Sequence, residues 1–141
     1  TTPPSGSFHS AGEGGGLAAG GKRLSMGDCS ASRGVVAPET FHVQRVLHVR
    51  YQNAALYQLN ELEYLNGEIL ANVYQSNWVL RIDPATGLVR EAIDFADLYP
   101  SRPATAEVMN GIAIAPDGRQ LLLTGKLWPR LFEVRLRAAG R

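Results

Sequence analysis

Apolar residues along this chain come in short runs that are partly β-branched or aromatic and end at turn signals. Examples are Leu59–Glu63, Glu68–Val73, Val79–Asp83, Leu88–Phe95, Met109–Ala113, Arg119–Thr124 and Leu131–Leu136. That is strand patterning, and no segment sustains three helical turns of apolar spacing. The turns recur as well. Ala37-Pro38-Glu39-Thr40, Asp83-Pro84-Ala85-Thr86-Gly87 and Ala115-Pro116-Asp117-Gly118 each put a proline where its fixed φ suits the second position of a turn. Thr1–Gly21 is rich in Pro and Gly, and its first seven residues read as loop or disorder.

The chain also repeats itself. Leu59-Asn60-Glu61-Leu62-Glu63 aligns with Met109-Asn110-Gly111-Ile112-Ala113, and Gly16-Leu17 aligns with Glu61-Leu62. After a Gly turn each is followed by a second strand: Lys22–Met26, Glu68–Val73 and Arg119–Thr124. Third strands follow at Val79–Asp83 and Leu131–Leu136, and fourth strands at His42–Val49 and Leu88–Phe95. A period of about 45 to 50 residues with four short strands is the signature of a β-propeller blade, whose first strand lines a central channel. The expected fold class is therefore all-β, a partial propeller of about three blades over residues 8–52, 53–100 and 101–141, with residues 1–7 outside it. Propellers close with at least about four blades. An open stack exposes two strand edges and an apolar face, so this chain is expected to fold poorly alone.

Composition narrows the chemistry. With 45% hydrophobic and 19% charged residues the chain is of globular type. Its formal charge is +1, without a basic stripe, so nucleic acid is not an expected partner. A single cysteine, Cys29, excludes an intrachain disulfide and a multi-thiolate zinc site; His9, His42 and His48 lack metal-ligand spacing, so no metal is expected. No apolar run approaches the roughly 18 residues of a membrane helix, and the first residues do not read as a secretory signal.

In a propeller, residues at the start of the inner strands face the channel mouth, which singles out Asn60, Glu61, Asn110 and the equivalent Gly15. An Asn there either caps a turn through its amide or presents that amide to a ligand. Lys126, in Thr124-Gly125-Lys126-Leu127-Trp128-Pro129, lies at the end of a second strand. It is either solvated or set to stabilise developing negative charge. In the corresponding loop, Asn72 to Trp78, the aromatics Tyr74 and Trp78 either wall a pocket or pack between blades. Asp83, Asp94 and Asp97 fall at turns, where Asp bonds locally, and Cys29 has no evident base beside it.

Taken together, Leu59-Asn60-Glu61-Leu62-Glu63-Tyr64, Gly67-Glu68-Ile69 to Ala71-Asn72-Val73-Tyr74-Gln75-Ser76, Arg81-Ile82-Asp83-Pro84-Ala85-Thr86-Gly87, Asn110-Gly111-Ile112-Ala113 and Thr124–Pro129 with Phe132-Glu133-Val134 closely resemble the plant and bacterial glutaminyl-peptide cyclotransferases. The resemblance runs from about Gly12 to Leu136. It implies the carboxy-terminal three blades of a five-bladed propeller that cyclises the amino-terminal glutamine of peptides or proteins to pyroglutamate, releasing ammonia, without cofactor and without the zinc of the animal enzymes. It also implies export, to the periplasm or the exterior. Carried onto this sequence, Asn60 holds the substrate and Lys126 stands near the reacting amide as catalytic residues, while Tyr74, Asn110 and Trp128 contact the substrate.

The departures are specific. The family's Glu-Gly-Trp-Gly-Leu motif stands here as Glu13-Gly14-Gly15-Gly16-Leu17, so Gly15 replaces a wall aromatic, and Tyr74 replaces the usual Trp. The family's catalytic glutamate belongs to an earlier blade, and neither Glu13 nor Glu61 matches its motif. Asp28–Gly34 is eroded relative to the usual blade. Two other readings follow: a noncatalytic propeller unit that binds a partner through its open edge, and a metal-dependent lactonase-type propeller with Asn60 and Asn110 as oxygen ligands. The second is short of the carboxylates a hard cation prefers.

Overall fold

The computed structural model describes residues 14–28 and 30–136. His9, Glu13, Cys29 and the expected loop at residues 1–7 lie outside the described residues. Three antiparallel sheets follow one another along the chain. The first runs β1 (Leu17–Gly20), β2 (Arg23–Gly27), β3 (Ser32–Val36) and β4 (Val43–His48). After the small hairpin of β5 (Arg50–Tyr51) and β6 (Ala54–Ala55) comes the second, β7 (Leu59–Leu65), β8 (Glu68–Val73), β9 (Trp78–Ile82) and β10 (Val89–Asp94). A single 3₁₀ turn, Ala96–Leu98, leads to the third, β11 (Met109–Ile114), β12 (Leu121–Gly125) and β13 (Phe132–Val134). Each sheet is a meander in sequence order, which is the blade pattern that the turn spacing announces.

Turn chemistry fixes the registers. Asn66 and Gly67 both have positive φ, 51° and 85°, so β7 and β8 are joined by a two-residue loop of the kind that matches strand twist. Asp83 starts the β9–β10 turn by accepting the Ala85 amide at 2.7 Å, and Asp117 does the same for Arg119 at 2.9 Å. The eroded-looking Asp28–Gly34 segment nevertheless supplies a full third strand. Its turn is built from Asp28 accepting the Ser30 amide and Ser30 accepting the Ser32 amide. Hydrogen bonding from the Ser30 side chain, opposed by partial burial and aided by the Ser30 amide, holds the Asp28 carboxyl below the usual range.

The inner strands β1, β7 and β11 lie side by side, and the core sits between the sheets. Ala18, Leu47, Val49, Leu59, Leu62, Ile69, Ala71, Leu80 and Ile82 fill the first junction. Leu70, Val79, Met109, Ile112, Leu121 and Leu123 fill the second. Each fully buried aliphatic contributes about 1.5–3 kcal/mol. At the first junction the backbones nearly touch, because the Gly16 amide donates to the Asn60 carbonyl at 2.8 Å. A Cβ on Gly16 would stand 2.5 Å from the Leu62 nitrogen, so only glycine permits this approach. Arg33, wholly buried on β3, reaches across and donates to the Leu59 carbonyl at 3.0 Å.

On the far side of the first sheet, Leu17, Met26, Gly34 and Val46 are in register across all four strands. Leu17 and Val46 are 54% and 50% exposed. Together they make an apolar surface on the side of the sheet away from the second sheet. Among the described residues, no helix is long and apolar enough to cross a membrane.

Candidate functional site

The inner strands share a deformation that builds the site. Pairing of β7 with β8 slips between Leu59 and Leu62, and pairing of β11 with β12 slips between Met109 and Ile112. Each slip is a bulge that frees the two following residues, Asn60-Glu61 and Asn110-Gly111, from strict alternation. Asn60 and Asn110 thereby meet across the blade junction, with Asn60 Nδ2 donating to Asn110 Oδ1 at 3.0 Å. The two asparagines do not merely cap their own turns.

The repeat also aligns the ends of the second strands. Val73 pairs with Leu59 and Gly125 pairs with Met109, so the next residues, Tyr74 and Lys126, are equivalent. Their amides are anchored alike, Tyr74 to the Gln58 carbonyl at 2.8 Å and Lys126 to the Val108 carbonyl at 3.0 Å. Lys126 Nζ lies 5.2 Å from the centre of the Tyr74 ring, within cation–π range. One cation, one aromatic face and two carboxamides therefore gather at one end of the junction between the second and third sheets.

Beneath them is a residue that the sequence reading did not single out. Asn72 is fully buried, accepts the Glu61 amide on Oδ1 at 2.7 Å and donates from Nδ2 to the Met109 carbonyl at 3.1 Å. It ties one bulge to the neighbouring inner strand and so sets the spacing of Asn60 and Asn110. Its signal was a polar residue inside the apolar run Ile69–Val73.

Glu61 is half-buried, and burial first, then the Glu63 charge, pushes its carboxyl above the usual range. A carboxyl raised in the folded state favours folding while protonated and loses that contribution as pH rises through its folded value. Glu61→Gln is therefore expected to melt higher than the parent at neutral pH. The gap should close as pH falls into the ordinary carboxylate range; a gap independent of pH in thermal melts would rule out this titration.

The remaining candidates are held elsewhere. Trp128 is half-buried, donates from Nε1 to the Glu107 carbonyl at 2.8 Å, and packs edge-on to Tyr99 and Phe132 with centroids 5.4 and 6.0 Å away. Its ring also lies against Gly125, beside Lys126, with the Arg102 guanidinium 5.9 Å from its centre. Trp78 is 41% exposed at the start of β9. At Gly15, the expected wall position, a Cβ would stand 2.9 Å from the Gly27 carbonyl oxygen, which also accepts the Gly15 amide. The backbone closes over the place where an aromatic would branch. His48 accepts or donates to Ser32 Oγ at 3.1 Å on the outer strand pair. Among the described residues, no three His, Cys, Asp or Glu side chains gather as a metal site.

Comparison with known proteins bears on this arrangement. A family model described as glutamine cyclotransferase matches residues 2–136. The glutaminyl-peptide cyclotransferase of Arabidopsis thaliana is 38% identical over 132 residues, covering 91% of this chain and 41% of that protein. A crystal structure of Myxococcus xanthus glutaminyl cyclase superposes with a TM-score of 0.82 at 39% identity, covering 89% of this chain and 56% of that one. The chain thus spans about half the length of the relatives it matches. Since the model match takes in nearly the whole chain, including every strand described above, this protein belongs to the glutamine cyclotransferase family.

Proposed function

We propose that this chain supplies one side of a glutaminyl-peptide cyclotransferase site, formed by Asn60, Asn110, Tyr74 and Lys126. The observation that carries the reading is the pairing of Lys126 with the Tyr74 ring beside the Asn60–Asn110 hydrogen bond. The substrate is a peptide or protein whose first residue is glutamine. Its α-amine attacks its own γ-carboxamide carbon; the new C–N bond closes a five-membered ring, the carbonyl oxygen becomes an oxyanion, and the old C–N bond breaks as ammonia leaves. One proton moves from the attacking amine to the departing nitrogen, a task for a carboxylate that the family carries on an earlier blade.

In this reading Asn60 and Asn110 orient the substrate amide, and the Lys126 ammonium offsets the oxyanion charge. Tyr74 walls the compact bent geometry that cyclisation requires, which lowers its entropy cost. A mass-spectrometric time course with a Gln-initial peptide tests the proposal. Loss of one ammonia above the spontaneous rate supports it, and a folded sample that neither exceeds that rate nor binds the peptide sinks it.

The closed backbone at Gly15 favours a second reading, a propeller unit that binds such peptides without turning them over. A saturable change in aromatic fluorescence with the same peptide, unaccompanied by ammonia loss, would identify that case.

A further inference from the structure

Blade one and blade two can be compared position by position away from the channel, and they differ sharply in charge. On the face that each sheet turns toward its successor, Ser25, Val35 and Arg45 are in register across β2, β3 and β4. Leu70, Arg81 and Glu91 hold the same places across β8, β9 and β10. Two residues before Ser25 and Leu70 stand Arg23 and Glu68. In blade two these side chains pair with one another, because Arg81 bonds Glu68 at 2.5 Å and Glu91 at 2.6 Å. In blade one both acids are replaced by arginines, and the central arginine by Val35.

The exchange leaves a space. Where the Arg81 side chain fills blade two, Val35 stops short, and a cavity of about 290 Å³ opens against blade two; the corresponding cavity lined by Arg81 is about 160 Å³. Its described lining includes Arg23, Ser25, Val35, Arg45, Tyr64 and Ala85, without a carboxylate. Arg45 donates to the carbonyls of Pro84 and Ala85 at 2.5 and 2.9 Å, which orients its guanidinium, and it forms no ion pair among the described residues. The carboxylate in that turn, Asp83, is already paired with Arg90. Ser25 is 8% exposed and is among the lining residues.

Two arginines and a serine lining one cavity, with no acid in its described lining, are an arrangement suited to a doubly charged oxyanion. We infer that the cavity between blades one and two binds a small ligand through a phosphate or sulfate group held by Arg23, Arg45 and Ser25. The site is separate from the channel-mouth group of Lys126 and Tyr74.

The test is a thermal melt of the full chain titrated with inorganic phosphate or sodium sulfate, against chloride at matched ionic strength. A saturable rise in melting temperature with phosphate or sulfate beyond that with chloride is expected, and the stronger of the two names the group. Arg23 is exposed and outside the core, so Arg23→Ala should fold as the parent does and weaken the response about tenfold or more. The triple variant Arg23→Glu, Val35→Arg, Arg45→Glu transplants the ion-paired set of blade two; it should fold and show no oxyanion response. Equal responses to chloride and both oxyanions, or an undiminished response in Arg23→Ala, overturn the inference.

Discussion

Asn72→Leu is expected to destabilise the folded chain by about 3 kcal/mol, a large effect for a substitution that keeps the branched skeleton of the side chain. Leucine is the bulkier residue, so no cavity opens, and the loss is chiefly one of hydrogen bonding with some overpacking added. Asn72 is 0% exposed, and its amide satisfies two backbone groups on two different blades, the Glu61 N–H and the Met109 carbonyl. Leucine leaves both without a partner, and each such orphan costs about 1–3 kcal/mol. Asn72→Asp would keep the acceptor for Glu61 but set a buried charge against the Met109 carbonyl, so it should be no milder at neutral pH. Asn60→Leu removes a hydrogen bond that is only partly buried and should cost about 1 kcal/mol. Urea denaturation of the three variants decides the point. A midpoint for Asn72→Leu level with that of Asn60→Leu would show that the Asn72 bridge does not hold the blades together.

What the sequence disclosed follows from which forces act locally. The strands were legible because short, partly β-branched apolar runs and turn residues such as Asp83-Pro84 and Asp117-Gly118 act within a few residues. The pairing of Asn60 with Asn110 was foreshadowed by the repeat, since equivalent positions on adjacent blades are neighbours in space. The same logic put Tyr74 in the loop corresponding to that of Lys126, but the residue-for-residue match needs the register of β8 and β12 relative to their inner strands, and the bulges obscure it. Asn72 was hidden for another reason: in an apolar run a single Asn reads as a flaw until its two partners, 11 and 37 residues away, are known. Arg33 likewise gives no sign that its guanidinium crosses to Leu59. The β5–β6 hairpin escaped notice because Gln52 and Asn53, both at positive φ, lack the glycine that usually marks such a loop.

The site reading stands or falls on Lys126. If cyclisation is observed, Lys126→Ala should lower kcat/KM by about 10²–10³-fold, the range seen when one group facing a developing oxyanion is removed. The effect should fall mainly on kcat, because the ammonium interacts more strongly with the oxyanion than with the neutral amide. Stability should hardly change: the Lys126 side chain is exposed, and its structural bonds, to Val108 and Glu107, are made by backbone atoms that alanine retains. Lys126→Arg keeps the charge and the ring contact while altering donor geometry, so it should recover part of the loss. Tyr74→Phe preserves the aromatic face and should stay near the parent rate, whereas Tyr74→Ala removes the wall and should raise KM. Steady-state kinetics on the four variants, with melts to confirm folding, separate the roles. A Lys126→Ala variant that turns over within twofold of the parent would make Lys126 a solvated cation that happens to lie over Tyr74.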